Sequence, residues 1–379
     1  MDHTHTEEQR LLADTVTEIL ARSGGEDRRR AVAVTDPGHR RAVWAELAAA
    51  GLTGLLVAEA DGGSGAGAAD AQTVAGALGR GGAGEPWVES AVIAAAVIAD
   101  LGDDAQRAQL LGGLADGTAL PILATDEPGR DLRTARPGTR AESGPDGWTV
   151  TGRKNPVVGA PAATALLVTA DTDDGTGVFV IDPAVPGVTI TGYRTFDDRR
   201  AGQIDLDAAP AVRLGTPGPQ TAAAVTGALV RGRAAWAAEA VEVMARAVDL
   251  TVEYLRTREQ FGGPLARFQA LTHRAADMYV ALELARSMSE RATAAVASGD
   301  LSETTAARTV LQICRSARLI GQEAVQLHGG IGMTAEHPLA DHVTRLPALE
   351  QQLGGADAAL ELLAGEISTE AAPPPASAG

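Results

Sequence analysis

Along this chain the spacing of apolar residues changes period twice, and that succession limits the folds open to it. From about Thr6 to Asp116 the sequence is rich in Ala, Leu, Glu and Arg. Apolar residues such as Leu11, Leu12, Val16, Ile19 and Leu20 fall three and four apart, interrupted by turns such as Asp61-Gly62-Gly63-Ser64-Gly65. That is a helical signature. Between about Ala119 and Leu214 it gives way to short β-branched runs, Trp148–Thr151, Thr164–Thr169, Val178–Ile181 and Val188–Ile190, punctuated by Pro, Gly and Asp. These predict a small antiparallel sheet or barrel. Helical periodicity then returns, with helices predicted near 222–256, 264–298, 302–328 and 338–364. Segregated elements in this order predict an α+β chain. We expect an N-terminal helical domain (1–117), a middle antiparallel β domain (118–214), a C-terminal four-helix bundle (215–367) and a disordered tail (368–379) low in large apolar groups.

Composition narrows the partners. With 379 residues, 45% of them hydrophobic, the chain can bury more than one core. A formal charge of −17 repels nucleic acid and anionic bilayers, and no basic cluster or run of eighteen apolar residues counters that. Cys314 is the single cysteine, so neither an internal disulfide nor a thiolate metal cage can form. The N-terminal residues lack a basic stretch followed by an apolar one, and a cytoplasmic address is expected. The seven histidines show no convincing metal spacing, although His337 and His342 could face one another on a helix. The isolated Trp44, Trp87, Trp148 and Trp236 are expected to anchor cores.

One pair of motifs carries chemistry. Arg258-Glu259-Gln260-Phe261-Gly262 is followed by Gln269 and, after a long helical interval, by Gln326-Leu327-His328-Gly329-Gly330-Ile331-Gly332. A guanidinium can fork onto a pyrophosphate, an aromatic ring offers a face to a heterocycle, and a glycine turn lets backbone N–H groups reach phosphate. Each piece alone is weak, and the glycine cluster by itself could be a plain interhelix turn. Together they fit a split site for a flavin dinucleotide.

In this order and at this separation the motifs resemble the acyl-CoA dehydrogenase family, over about residues 7 to 365. The resemblance implies FAD held across a subunit interface by Arg258, Gln260, Phe261 and Gln269 of one chain and Gln326, Gly329 and Gly330 of its neighbour. It also implies assembly into dimers and tetramers, and an acyl-CoA or similar acyl-thioester substrate. Dehydrogenation beside a thioester needs a base for the α-proton and a flavin for the β-hydride. The family's usual base position falls on Leu353, and its alternative position, directly before Arg233, falls on Gly232. Neither can take a proton. Glu350, one turn before Leu353, is a substitute candidate on what reads as a solvated helix face, and Asp341 is a weaker one.

The β region departs from the family pattern as well. Asp126-Glu127-Pro128 stands where Thr-Glu-Pro is usual. Gly152-Arg153-Lys154-Asn155-Pro156-Val157-Val158 lacks the ring-covering Trp and the Thr of Gly-x-Lys-x-Trp-Ile-Thr. The phosphate half of the site is intact and the ring half eroded. The resemblance therefore implies a subunit without a catalytic base, partnered by a second acyl-CoA dehydrogenase subunit. A self-sufficient homo-oligomer with a relocated base, a flavin-dependent monooxygenase and a helical interaction protein are the alternatives. Arg256 reads as a surface charge, and Arg130 and Arg133, in the loop after Pro128, are not assigned to a CoA phosphate because loop arginines are usually solvated.

Overall fold

The computed structural model describes residues 6–24, 31–32, 34–129, 136–334 and 336–370; Arg130, Arg133 and the expected tail beyond 370 lie outside them. The chain divides into two compact units, Met1–Ala235 and Trp236–Gly379.

The first unit opens with helices α1 (Glu7–Arg22), α2 (Arg41–Ala49) and α3 (Ala68–Arg80). At the start of α1 the Thr6 hydroxyl accepts the Gln9 N–H at 3.2 Å while the Gln9 side chain accepts the Thr6 N–H at 3.1 Å. This reciprocal cap satisfies two donors that a helix start otherwise leaves open. α1 buries Val16, Ile19 and Leu20 and packs on α2 and α3. A π-helical stretch, Val88–Ala94, is buried throughout and runs into α4 (Ala95–Leu101), followed by α5 (Asp104–Ala115). Trp44 and Trp87 anchor this core as expected, and the Trp87 indole N–H donates to the Leu52 carbonyl at 2.9 Å.

Seven strands follow: β1 (Pro121–Ala124), β2 (Arg140–Gly144), β3 (Gly147–Val158), β4 (Ala165–Thr172), β5 (Gly175–Ile181), β6 (Val188–Arg194) and β7 (Arg200–Leu214). The hydrogen-bonded order is β1-β4-β2-β3-β7-β5, with β6 on β7 and a further β4–β5 pairing that closes the ring. The sheet is mostly antiparallel, but β1 runs parallel to β4, Pro121 opposite Ala165. Strand β4 is buried on both faces, which explains its unbroken apolar run rather than alternation. Trp148 is only half-buried, its ring tilted on Phe179 at 5.1 Å, so it borders this core and does not anchor it.

Helix α6 (Pro219–Thr257) begins in the first unit and ends in the second. The second unit continues with a two-strand hairpin, β8 (Glu259–Gln260) and β9 (Gly263–Pro264), then α7 (Gln269–Ala297), α8 (Glu303–His328), α9 (Leu339–Gln352) and α10 (Ala356–Glu370). α8 packs on α7, α9 and α10. Two expectations shift here. The helix predicted from 264 starts at Gln269, because the hairpin and a short turn occupy the preceding residues. The one predicted over 338–364 is two helices, parted at Gly354 and Gly355, whose φ values of +95° and +83° break the right-handed helix. The second of these runs through Glu370, into the stretch expected to be tail. Trp236 is buried, and a bidentate ion pair from Arg345 to Glu239, at 2.8 and 3.1 Å, ties α9 to α6. Among the described residues no helix is long and apolar enough to cross a membrane, and no group of three or more His, Cys, Asp or Glu could hold a metal.

Candidate functional site

In the second unit α6 passes directly into the hairpin. The Arg258 N–H donates to the Tyr254 carbonyl at 2.8 Å, and the Arg258 carbonyl accepts from Leu265 at 2.9 Å. Gln260 pairs with Gly263, leaving Phe261 and Gly262 as corner residues with φ of +51° and +85°. Two consecutive left-handed residues are what a two-residue hairpin turn with matching strand twist requires. Gly262 adopts that conformation freely; Phe261 does so with strain. Its ring is 88% exposed and meets Phe268 edge-on at 6.1 Å. Arg267 braces the corner by donating to the Gly262 carbonyl at 2.9 Å. A strained, solvent-held phenyl group is energetically awkward unless something covers it. Arg258 and Gln269 are also exposed, and among the described residues the Arg258 guanidinium has no ion-pair partner. The Gln260 amide turns back onto the Glu259 carbonyl at 2.9 Å.

The glycine bend lies at the end of α8. Gln326 is exposed, His328 is buried, and Gly329 adopts φ +66° with ψ −146°, a conformation suited to glycine alone. A Cβ added at Gly329 or Gly330 would meet nothing within 4 Å, so the bend is open to its surroundings, while the Gly329 N–H donates to the Val325 carbonyl. Ile331 and Met333 beside it are exposed. Tyr254, one turn before Arg258, stacks on His328 with centroids 4.5 Å apart and planes at 25°. That contact brings the hairpin and the glycine bend, far apart in sequence, to the same end of the unit. Tyr254 was not among the residues singled out from sequence, although its i, i+4 spacing from Arg258 places both on one helix face. His337 also departs from expectation. It precedes α9, and its ring contacts are with His328 and Tyr254.

In the first unit a different polar cluster sits where β1 ends. The Glu127 carboxylate accepts the Gly138 N–H at 2.6 Å, the Thr139 N–H at 3.0 Å and the Lys154 ammonium at 2.7 Å. Lys154, fully buried on β3, also donates to the Thr125 carbonyl and the Thr169 hydroxyl. Burial alone would raise the Glu127 carboxyl, but Lys154 and Thr139 outweigh it and hold it down at about 2. Burial lowers the Lys154 ammonium, with Glu127 opposing. Asp126 beside them differs. Its side chain is accessible yet recessed, and desolvation raises it despite a weak bond from Thr125 and the charges of Lys154 and Arg233. Its backbone carbonyl accepts from Asn155, which precedes Pro156 in a cis peptide. Pro156 is exposed and Val158 half-buried, so neither a stacking ring nor a hydroxyl is offered from those positions.

Two family models match the segments on either side of the sheet. Residues 6–118 match the acyl-CoA dehydrogenase N-terminal domain and 222–367 the C-terminal domain. A short-chain-specific acyl-CoA dehydrogenase from Megasphaera elsdenii is 30% identical over 86% of this chain and 90% of its own length. The chain belongs to the acyl-CoA dehydrogenase family. Among solved structures, a variant of the Tcur3481-Tcur3483 steroid ACAD is 34% identical with a TM-score of 0.88, covering 97% of this chain and 99% of that one. The ChsE4-ChsE5 complex from Mycobacterium tuberculosis is 27% identical with a TM-score of 0.86, covering 99% and 100%.

Within this acyl-CoA dehydrogenase fold the two positions that resemblance assigns to a base hold no proton acceptor. Leu353 is 2% exposed at the end of α9, and Gly232 is a buried position within α6. Glu350 is not on a solvated face: its side chain is 15% exposed and accepts from Arg318 at 2.9 Å. Its charge, after burial, also helps push the Cys314 thiol up to about 12, which leaves that thiol inert. Asp341 is half-buried in the first turn of α9.

Proposed function

We propose that this chain is the subunit without a catalytic base in a heteromeric, FAD-linked acyl-CoA dehydrogenase acting on a lipid or steroid acyl thioester. The observation that carries the reading is a contrast. Arg258, Phe261, Gly329 and Gly330 are exposed at one end of the second unit, Arg258 without an ion-pair partner among the described residues, while the base positions are a buried leucine and a glycine. In this reading one cofactor is held where two chains meet: Arg258 of one chain and the Gly329-Gly330 backbone of its neighbour grip the pyrophosphate, Phe261 covers an aromatic portion of it, and Gln260 and Gln269 of the first chain and Gln326 of the second supply amide contacts. The FAD, when bound, accepts the β-hydride, and the proton acceptor comes from the partner subunit. A position that never meets substrate can lose its carboxylate without cost to rate. The domain limits proposed with this reading are 117/118, 214/215 and 367/368, the assembly a tetramer, and the compartment the cytoplasm. Two of the similar structures, each named for a pair of chains, lend support.

A self-sufficient dehydrogenase is the second reading, and one observation favours it: Asp126 is an accessible carboxylate raised by its recess and faced by the Arg233 charge, a fit environment for a relocated base. Glu350 is the poorer choice because Arg318 occupies it. Purifying the chain alone and with a co-expressed dehydrogenase partner separates the two. Flavin colour and turnover confined to the pair support the first reading. A lone chain with stoichiometric flavin that bleaches with acyl-CoA, and loses turnover in Asp126→Asn, overturns it. Arg258→Ala should lower the flavin content of whichever assembly holds it; unchanged content removes the site assignment.

A further inference from the structure

Under the glycine bend lies a pair of imidazoles that the reading above leaves unused. His328 is 4% exposed, and its Nδ1 lies 2.8 Å from the Ala324 carbonyl oxygen. A carbonyl only accepts, so Nδ1 carries the proton and Nε2 of the neutral ring is an acceptor. That Nε2 is buried with no hydrogen-bond partner. From α6 the ring is faced by the Leu250 carbonyl and by the Tyr254 ring, and from the segment before α9 by His337. Burial first, with the His337 charge, keeps the His328 imidazole below its ordinary range against the pull of the two carbonyls.

His337 is placed to act on this group. Its ring centroid is 4.9 Å from that of His328, with planes at 65°, and its Nδ1 accepts the N–H of Leu339, the first residue of α9, at 3.2 Å. Protonating Nδ1 turns that acceptor into a donor, removes the Leu339 bond and places a cation beside the buried His328 ring, so that the contact holding the start of α9 is lost. The bend itself rests on His328. Gly329 follows it directly, and Gly332 packs so close that a Cβ there would lie 2.9 Å from the His328 Cβ.

We infer that His337 and His328 are a proton-sensitive positioning pair for the Gly329-Gly330 bend. With both rings neutral the bend keeps the shape that receives a pyrophosphate, and protonation of His337 loosens it. The inference rests on the cofactor reading above, and the tests keep the two separable. FAD affinity of the full-length chain, in whichever assembly retains flavin, is measured by equilibrium dialysis between pH 7.5 and 5.5. One coupled proton makes the affinity of the unaltered protein fall by up to about tenfold per pH unit on the acid side. His337→Gln keeps an oxygen for the Leu339 N–H but takes no proton, so its profile is expected to be flat at the neutral-pH affinity. An equal slope in both proteins overturns the inference. Absence of FAD at every pH and in every assembly overturns the cofactor reading instead. Nitrogen-15 imidazole NMR of the full chain then still decides the pair: His328 is expected as the Nδ1–H tautomer, titrating at higher pH in His337→Gln. An Nε2–H tautomer, or an unmoved titration, sinks it.

Discussion

The polar cluster at the end of β1 and the hairpin with its glycine bend are both rich in chemistry-bearing residues, yet they are built on opposite principles. In the cluster of Glu127 and Lys154 both charged groups are answered within the chain: one carboxylate takes three donors, one ammonium serves three acceptors, and both side chains are at most 5% exposed. Around Arg258, Phe261, Gly329 and Gly330 the reverse holds, with groups exposed, strained or bare. Satisfied polar groups in a core hold a fold together, whereas exposed groups without partners in the chain are solvated and free to take a ligand. Residue type alone does not separate the two; the state of each group's partners does.

The sharpest way to break the comparison is to cut the satisfied cluster. Lys154→Met leaves the Glu127 charge buried without its counterion, and stability should fall by about 3–5 kcal/mol, read from denaturant midpoints of the lone chain. A loss of under ~1 kcal/mol would place the pair in the same class as surface ion pairs. Acid probes the same contact more gently. Glu127 is held at about 2 in the fold against an ordinary 4.5, so its contribution is fully present above pH 4.5 and is lost as pH falls through about 2. The shift corresponds to about 3 kcal/mol at most, reduced by the opposing burial of Lys154. Unfolding free energy followed from pH 5 to pH 2 should decline in both proteins, because Asp116, Asp205 and Asp300 are held low as well, but from a lower start and less steeply in Glu127→Gln.

The parts legible in the sequence were those with a local physical cause. Period-3.6 and β-branched runs report burial directly, and so the succession of helical, β and helical segments is recovered. The break at Gly354-Gly355 is written in the sequence too, but the apolar pattern continues across it and masks it. The hairpin between Gln260 and Gly263 escapes such reading because its turn places Phe, not Asn or Asp, at the first left-handed position. Arg258, Gly329 and Gly330 stand out as motif residues. What motifs leave out is the support beneath them: the Tyr254–His328 stack and the His337 cap bring together residues from three places in the chain, and pairwise geometry of that kind has no sequence period. Glu350 shows the converse, a residue that looks solvated from its neighbours Gln351 and Gln352 and is instead taken by Arg318.

On the open side of the comparison effects on stability should shrink while effects on ligand binding grow. Gly329→Val places a β-branched side chain at φ +66° and ψ −146°, a strain of roughly 1–3 kcal/mol even though the space around it is empty. Flavin content of the holo assembly should drop with it, and because the strain alone destabilises, thermal unfolding of the apo chain must be measured alongside. A variant that melts at the native temperature yet holds no flavin would mean the bend relaxes freely and serves only the ligand.

Phe261→Asn should give the smallest change in stability and the cleanest separation of roles. Asparagine tolerates the left-handed conformation far better than phenylalanine and is favoured at the first corner of a two-residue hairpin. Removing a ring that is 88% exposed forfeits only its edge contact with Phe268, while easing the backbone strain, so the apo chain should be unchanged or gain up to about 1 kcal/mol. If the ring is held out to cover a cofactor, flavin affinity nonetheless weakens several-fold while stability is kept or raised, a split no structural residue produces. Unchanged affinity would assign the exposed ring to a protein contact, and the same variant examined by sedimentation would then show a weakened assembly.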